Sequence, residues 1–467
     1  MANLVLLSWP LVAMMMFSKL DIQRALILSI LVGYLILPPL LAFYIPGLPP
    51  LDKSTLPTVV TALILAGRGR DARLGEVPAY GFILLTLIII FVGSPLVSNL
   101  LNGDELIDGN AHRPGLTIVS GVKDVLRAYI QILPFLLGYR YLGDARGAEL
   151  TCRLVVMAML WYSILMLAEV RLSPQMNVWV YGYFQHDFIQ TIRYGGFRPI
   201  VFLEHPLWVA SLTATAFMFS IGLFRANRDA RSRTIMLYLG WLLLICKSAG
   251  ALLLSALFVP LLGFLRPRLA LLVACALVAA AVLYPMLRST PLMPAQRIVE
   301  MAKSVSEERG RSLEFRLMNE EELLVRAMEK PLWGWGGSGR SLLIDPFDGK
   351  VTAIPDGLWV IYLGARGMIG YLATFLLLAS PVVVAYRAVG RAGKNLQTEH
   401  YLVAALAVAV AINIVDLIPN ATLTPITWLV AGTALGNARR LMVSGPSAVQ
   451  REAVSLALPQ TGLKTIL

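Results

Sequence analysis

The stretch from Pro331 to Gly370, PLWGWGGSGRSLLIDPFDGKVTAIPDGLWVIYLGARGMIG, sets Trp333, Trp335, Arg340, Asp356 and Trp359 among glycines directly before an apolar run. Asp356 follows Pro355 and precedes Gly357-Leu358-Trp359, where a long polar segment ends and apolar chain begins. A carboxylate at such a boundary suits a general base. Tryptophan rings stack on sugar faces, and they also anchor chains at membrane interfaces. The glycines of Trp333-Gly334-Trp335-Gly336-Gly337-Ser338-Gly339-Arg340 permit positive φ and close backbone approach. Their amides can then meet an anion, or the segment is simply a tight turn.

A second constellation reads Arg193-Tyr194-Gly195-Gly196-Phe197-Arg198-Pro199, followed by Glu204-His205-Pro206 at the mouth of an apolar run. Paired guanidinium groups match phosphate oxygens bidentately, so Arg193 and Arg198 suit a diphosphate. Glu204 and His205 fit either a general base or an anchoring pair. Lys247-Ser248 lies between apolar runs, where an ionisable group is a functional candidate or a snorkelling one. Asn413 and Asp416 repeat that pattern more weakly. Between Glu300 and Lys330 the spacing predicts a charged amphipathic helix ended by Pro331, with Arg311, Glu314, Arg316 and Asn319 able to share a face. Most of those charges fit a solvated helix on a membrane surface. Arg316, set between Phe315 and Leu317, stands apart as a substrate contact.

The elements that must position these residues are apolar. The chain of 467 residues is 57% hydrophobic and 15% charged, against about a quarter charged in soluble domains. Apolar segments fall at 2–18, 24–44, 55–67, 79–100, 122–142, 150–168, 206–224, 234–247, 250–265, 269–287, 358–386, 401–418 and 422–438. They predict an all-α polytopic integral membrane protein with about 12–13 transmembrane helices. The segments at 234–247 and 250–265 are two short helices or one broken helix. Period-2 alternation is missing, which argues against an outer-membrane barrel. Cys152, Cys246 and Cys275 sit in or beside apolar runs and read as small core residues. The N-terminal run lacks a basic leader and a small-residue cleavage site, so no cleavable signal is expected.

The +12 net charge comes from arginines in short loops, and no nucleic-acid motif accompanies it. Basic loops at Arg68-Gly69-Arg70 with Arg73, Arg140 with Arg146, Arg225–Arg233, Arg266 with Arg268, Tyr386–Lys394 and Arg439-Arg440 should face the cytoplasm. They alternate with loops 101–121, 169–205 and 288–357, which then face the periplasm. The expected organisation is a transmembrane bundle over 1–287 that includes loop 169–205, a large periplasmic loop over 288–357 with amphipathic helices, transmembrane helices over 358–440, and a cytoplasmic tail over 441–467. No internal repeat or inverted pair of broken helices is visible, which disfavours a transporter.

The order of GGFRP, KSAGALLLSAL, the large loop, PLWGWGGSGR and LGARGMIG resembles the O-antigen ligase and O-antigen polymerase superfamily over about residues 190–375. The family's Gly-Trp-Gly matches Gly334-Trp335-Gly336, and its following helix start matches Gly367-Met368-Ile369-Gly370. Its usual Ser-Arg-Gly-Ala is replaced by Lys247-Ser248-Ala249-Gly250-Ala251. Ligases of the family carry a histidine where Asp356 stands, so the departure favours the polymerase-like branch. The resemblance implies a GT-C-like inner-membrane glycosyltransferase, inverting, with no metal or cofactor. Its substrates would be an undecaprenyl-diphosphate-linked glycan and a saccharide acceptor, with membrane lipids and a chain-length-regulating co-polymerase as further partners. Arg193, Arg198 and Arg316 would bind diphosphate, with Lys247 or Arg340 as a further cation. Asp356 would be the base, with His205 or Glu204 the second choice, and Trp333, Trp335 and Trp359 would line the glycan path. The alternatives are a transporter or flippase for lipid-linked sugars and a non-catalytic subunit of an export complex.

Overall fold

The computed structural model describes residues 1–68, 80–108, 111–288, 290, 295–347 and 349–443. Arg70 and Arg73 of the first basic loop, and the tail from Ser444, lie outside the described residues. Each expected apolar segment falls on its own helix. These are α1 (Ala2–Lys19), α2 (Ile22–Ile36), α3 (Leu56–Gly67), α4 (Phe82–Leu100), α5 (Ile118–Tyr141), α6 (Ala145–Leu172), α8 (Pro206–Asn227), α9 (Ala230–Ile245), α10 (Ala249–Gly263), α11 (Pro267–Arg288), α14 (Leu358–Ala392), α15 (Thr398–Asp416) and α16 (Pro425–Val443). Loop helices are the short α7 (Met176–Tyr181) and the amphipathic α12 (Ala295–Val305) and α13 (Glu307–Met328). A short 3-10 helix (Phe188–Thr191) and the antiparallel ladders β1–β2 (Ala42–Phe43, Leu51–Asp52), β3–β4 (Leu106–Asp108, Ala111–Arg113) and β5–β6 (Ile192–Arg193, Gly196–Phe197) complete the described elements.

Among the described residues, seven helices (α1, α4, α6, α8, α11, α14 and α15) are long and apolar enough to cross a membrane. The larger number expected from the sequence counted segments by hydropathy alone. Helices α2, α3 and α10 are apolar but have only 15, 12 and 15 residues, below the ~20 that a ~30 Å hydrocarbon layer requires. The apolar run at 24–44 is cut short because Pro38-Pro39 follow α2. The break between α9 and α10 is real: Cys246 to Ser248 turn the chain, with Lys247 at φ 50°.

Helices α8 and α15 form the centre, each with 83% of its apolar window buried. Alanines at 404, 405, 407, 409 and 411 keep α15 thin, so neighbours approach closely. Helix α16 meets α5 through small residues as well: a Cβ on Gly432 would lie 2.0 Å from the Phe135 carbonyl oxygen, and one on Gly138 would lie 2.4 Å from that of Leu429.

The basic ends of the helices gather at one pole. There Arg225 donates to the Gly263 and Leu265 carbonyls, Arg146 pairs with Asp21 at 3.2 Å, and Arg440 pairs with Glu399. The long loops meet one another at a second pole: Asn102 and Arg113 donate to the Gly334 and Gly339 carbonyls, and Arg316 acts on His205.

Two sequence motifs meet there. Helix α14 breaks at Gly367 (φ 64°, ψ −173°), and the turn Pro331–Gly336 inserts into the break. The Trp335 and Gly336 amides donate to the Gly364 and Ala365 carbonyls at 2.8 and 2.9 Å, and the Met368 and Ile369 amides donate back to Pro331 and Leu332 at 2.7 and 3.2 Å. Backbone groups freed by the kink are thereby satisfied, as apolar surroundings demand. The Gly336 amide serves this splice, and the Gly334 amide donates to the Lys330 carbonyl at 3.0 Å. Helix α4 clamps the turn from below, with the Ser98 hydroxyl donating to the Trp333 carbonyl and the Asn102 amide donating to Gly334 at 3.0 Å.

A Cβ on Gly367 would sit 2.3 Å from the Leu332 carbonyl, in a backbone region that already costs an L-residue about 1–3 kcal/mol. Gly367→Ala should therefore lower the melting temperature of the purified protein by several degrees. Gly93→Ala, whose added methyl meets nothing within 4 Å, should leave it unchanged or raise it.

Candidate functional site

The site is assembled on the loop after α6. Glu169, fully buried near the end of that helix, accepts the Met176, Ile200 and Val201 amides at 3.1, 2.8 and 2.7 Å. One carboxylate thus fixes both ends of loop 173–205. Gln185 adds bonds to the Val201 and Leu203 carbonyls at 2.9 and 3.1 Å. The β5–β6 hairpin turns through Tyr194 and Gly195, both at positive φ, as a two-residue type I′ turn needs.

That hairpin presents the arginines to the α9–α10 turn. Arg198 is 2% exposed, donates through Nε to the Cys246 carbonyl at 3.2 Å, and keeps a second guanidinium nitrogen buried with no partner among the described residues. Burial first, and then Arg193, push its pKa down to about 10, which leaves it charged at neutral pH. Arg193 and Lys247 exchange bonds: the Lys247 ammonium donates to the Arg193 carbonyl at 2.9 Å, and the Arg193 guanidinium donates to the Lys247 carbonyl at 3.4 Å. Three cations thus share one corner.

His205 is the N-cap of α8. Its Nδ1 accepts the Leu207 amide at 2.9 Å, so the proton of the neutral ring lies on Nε2, which faces Gln190 Oε1 at 3.1 Å. The His186 ring packs edge-on at 4.5 Å. Burial, then His186, Arg198, Arg193 and Arg316, push the pKa of His205 down to about 3. As a base this ring would first have to give up its cap. Glu204 faces Lys53, which is 1% exposed and donates to the Phe202 carbonyl. Burial holds Lys53 below the usual lysine range and raises Glu204, while their mutual attraction opposes both shifts.

Arg316 on α13 meets Asp356, which lies just before α14: Nε to Oδ2 is 3.2 Å, with the side chains 38% and 37% exposed. An ion pair so exposed adds little stability. It is an exchangeable contact, and Arg316 is also close enough to act on His205. One helical turn beyond Arg316, Glu320 is 7% exposed and accepts the Tyr284 hydroxyl at 3.1 Å and the Trp359 indole at 3.4 Å. Burial raises its pKa, and Arg288 and Arg316 oppose the rise.

No protein-family model matches the chain, and no curated protein matches its sequence. What can be said of the site therefore comes from these residues.

Of the residues singled out in the sequence, the fold gathers Arg193, Arg198, Lys247, His205, Arg316 and Asp356 at one pole. It separates others from them. Arg340 is buried and donates to the Pro114 and Asp104 carbonyls at 2.8 and 2.9 Å, holding loop to loop. Trp335 is buried under the Arg326 and Lys330 side chains, 3.6 and 4.6 Å from its ring centre. Trp359 is fully buried against Tyr284. Only Trp333 of the three tryptophans remains half-exposed. Asn413 ties α8, α15 and α16 through Ser211, Thr215 and Thr427, and Asp416 accepts from Asn420 and Thr422. Lys53, Glu169, Gln190 and Glu320 join the pole without having been picked out. Glu320 lies within the run Asn319-Glu320-Glu321-Glu322, where only burial distinguishes it.

A histidine whose folded pKa is depressed contributes stability that is complete above its unfolded value of about 6.5 and is lost as pH falls toward the folded one. The His205 ring should accordingly stay neutral down to about pH 5, read by ¹⁵N chemical shifts of the four histidines. A His205 signal titrating near 6.5 would overturn that. His205→Asn should preserve the helix cap, whereas His205→Ala should cost about 1 kcal/mol of stability.

Proposed function

We propose that the protein is a polymerase- or ligase-type glycosyltransferase acting on a polyprenyl-diphosphate-linked glycan at the periplasmic face of the inner membrane. The observation that carries this reading is the Arg316–Asp356 contact at 3.2 Å beside the Arg193, Arg198 and Lys247 corner. Cations fixed by backbone carbonyls, one of them with a nitrogen unpartnered among the described residues, suit a diphosphate that must be bound and must depart with its charge neutralised. A carboxylate already in contact with one of those cations suits the proton transfer.

In the reaction the acceptor hydroxyl oxygen attacks the anomeric carbon from the face opposite the diphosphate. The carbon–oxygen bond to phosphate breaks, and its electron pair leaves with the diphosphate. The hydroxyl proton passes to the carboxylate. Diphosphate arriving at Arg316 competes with Asp356 for the guanidinium, so donor binding itself releases the base. Trp333, half-exposed beside the splice, is the tryptophan placed to meet sugar. Trp335 and Trp359 act through packing. The missing histidine at position 356 and the exchangeable aspartate there favour transfer to another lipid-linked unit over transfer to lipid A-core.

Arg316→Ala should reduce transfer by about a hundredfold or more at unchanged protein level. Asp356→Asn should lower kcat without raising the donor KM, since it removes a proton acceptor and a competitor for Arg316. In cells lacking the wild-type gene, either variant should leave single lipid-linked units on the outer face of the membrane. Units retained on the cytoplasmic face would mean a flippase instead. Near-normal polymer from Arg316→Ala would end the proposal.

A further inference from the structure

We infer that Glu320 is a positioning residue for this site, a fixed counter-charge that keeps Arg316 from retaining the departing diphosphate. The inference rests on the anion-binding role given to Arg316 above and adds a second, permanent acid to it.

Arg316 has two acidic neighbours of opposite character. Asp356 is 37% exposed and bound by a single contact, so an incoming anion can replace it. Glu320 cannot leave. It is 7% exposed, and both of its oxygens are occupied, Oε2 by the Tyr284 hydroxyl at 3.1 Å and Oε1 by the Trp359 indole at 3.4 Å. Both bonds are donated to the carboxylate, and such bonds favour its charged form against the burial that opposes it. The Arg288 and Arg316 charges both act on it.

The connections close a ring. Arg316 and Glu320 are one turn apart on α13, Glu320 is bonded to Trp359, and Trp359 lies three residues after Asp356. The same contact that docks α13 on α11 and α14 therefore sets the approach of Arg316 to Asp356. It also places a negative charge that no substrate can displace one helical turn from Arg316. Transfer requires diphosphate to be held in the transition state and then let go, so attraction shared equally by bound reactant and product slows turnover. A buried carboxylate near the guanidinium lowers that uniform attraction.

The test uses the purified full-length chain with inorganic pyrophosphate as the probe, measured by calorimetry. Wild type should bind, and Arg316→Ala should not. Glu320→Gln, which removes the charge and keeps the shape, should bind about fivefold or more tightly, since an unscreened charge is removed close to the anion. Glu322→Gln, on the exposed face of the same helix, should change binding by less than about twofold because solvent screens it. With lipid-linked donor, Glu320→Gln should lower KM and kcat together, a split that a merely structural role does not produce. Glu320→Met, which removes the charge at similar volume but leaves the Tyr284 hydroxyl and the Trp359 indole without this acceptor, repeats the test if the glutamine variant folds poorly. Equal or weaker pyrophosphate binding by the folded neutral variants overturns the inference alone. So does a failure of both to fold, because the carboxylate then only supports the structure. Absence of binding by wild type overturns the anion-site reading and the inference with it.

Discussion

The constraint on which the loop pole depends is like charge held in one corner. Arg193, Arg198 and Arg316 all act on His205, and Lys247 is bonded to Arg193; around them Lys53 and Arg288 have their own carboxylates, Glu204 with Asp52 and Glu320 with Glu321. At an effective dielectric near 20, two like charges 4 Å apart repel by about 4 kcal/mol. The fold meets this with dipoles more than with anions. The carbonyls of Cys246, Arg193, Lys247, Phe202 and Leu317 each accept from a cation. Neutral oxygens orient a guanidinium without cancelling its charge, so the cluster stays strongly attractive to an anion.

Holding those carbonyls in position is the task of the parts around them. Glu169 ties both ends of the loop after α6, the α9–α10 turn supplies two of the carbonyls, and the splice of Pro331–Gly336 into α14 fixes where the large loop stands. The membrane helices contribute little chemistry of their own. Their closely packed centre, α8 with α15 and α5 with α16, supplies the rigidity that strained loop conformations require.

The helices were legible in the sequence because apolar length is a local property. So was much of the pole, since Arg193, Arg198, His205, Lys247, Arg316 and Asp356 each stood where a polar segment meets an apolar one. Seven helices have both the length and the composition of a full crossing; α2 stops at Ile36, well short of its apolar run, whereas α10 is as short as its run in the sequence. Roles were harder to read than positions. Arg340 and Trp335 belong to types that bind ligands as readily as they brace loops, and the difference lies in partners more than 200 residues away or in packing on α13. Glu320 and Lys53 carried no local signal because charge among charges, or a lysine in a turn, looks solvated until the tertiary structure buries it.

The splice also orders events in time. The Ser98 hydroxyl at the end of α4 finds its partner, the Trp333 carbonyl, 235 residues later in the chain, and Trp335 in turn waits for Gly364. At about 5–20 residues per second of synthesis, α4 sits unclamped for roughly 10–50 s. Among the membrane helices, the amphipathic helix α13 has only its α11 contacts until α14 has been inserted. Assembly of the pole thus waits for α14, so a nascent chain that stalls before α14 lacks the Arg316–Asp356 contact as well as the α15 and α16 helices that complete the packed centre.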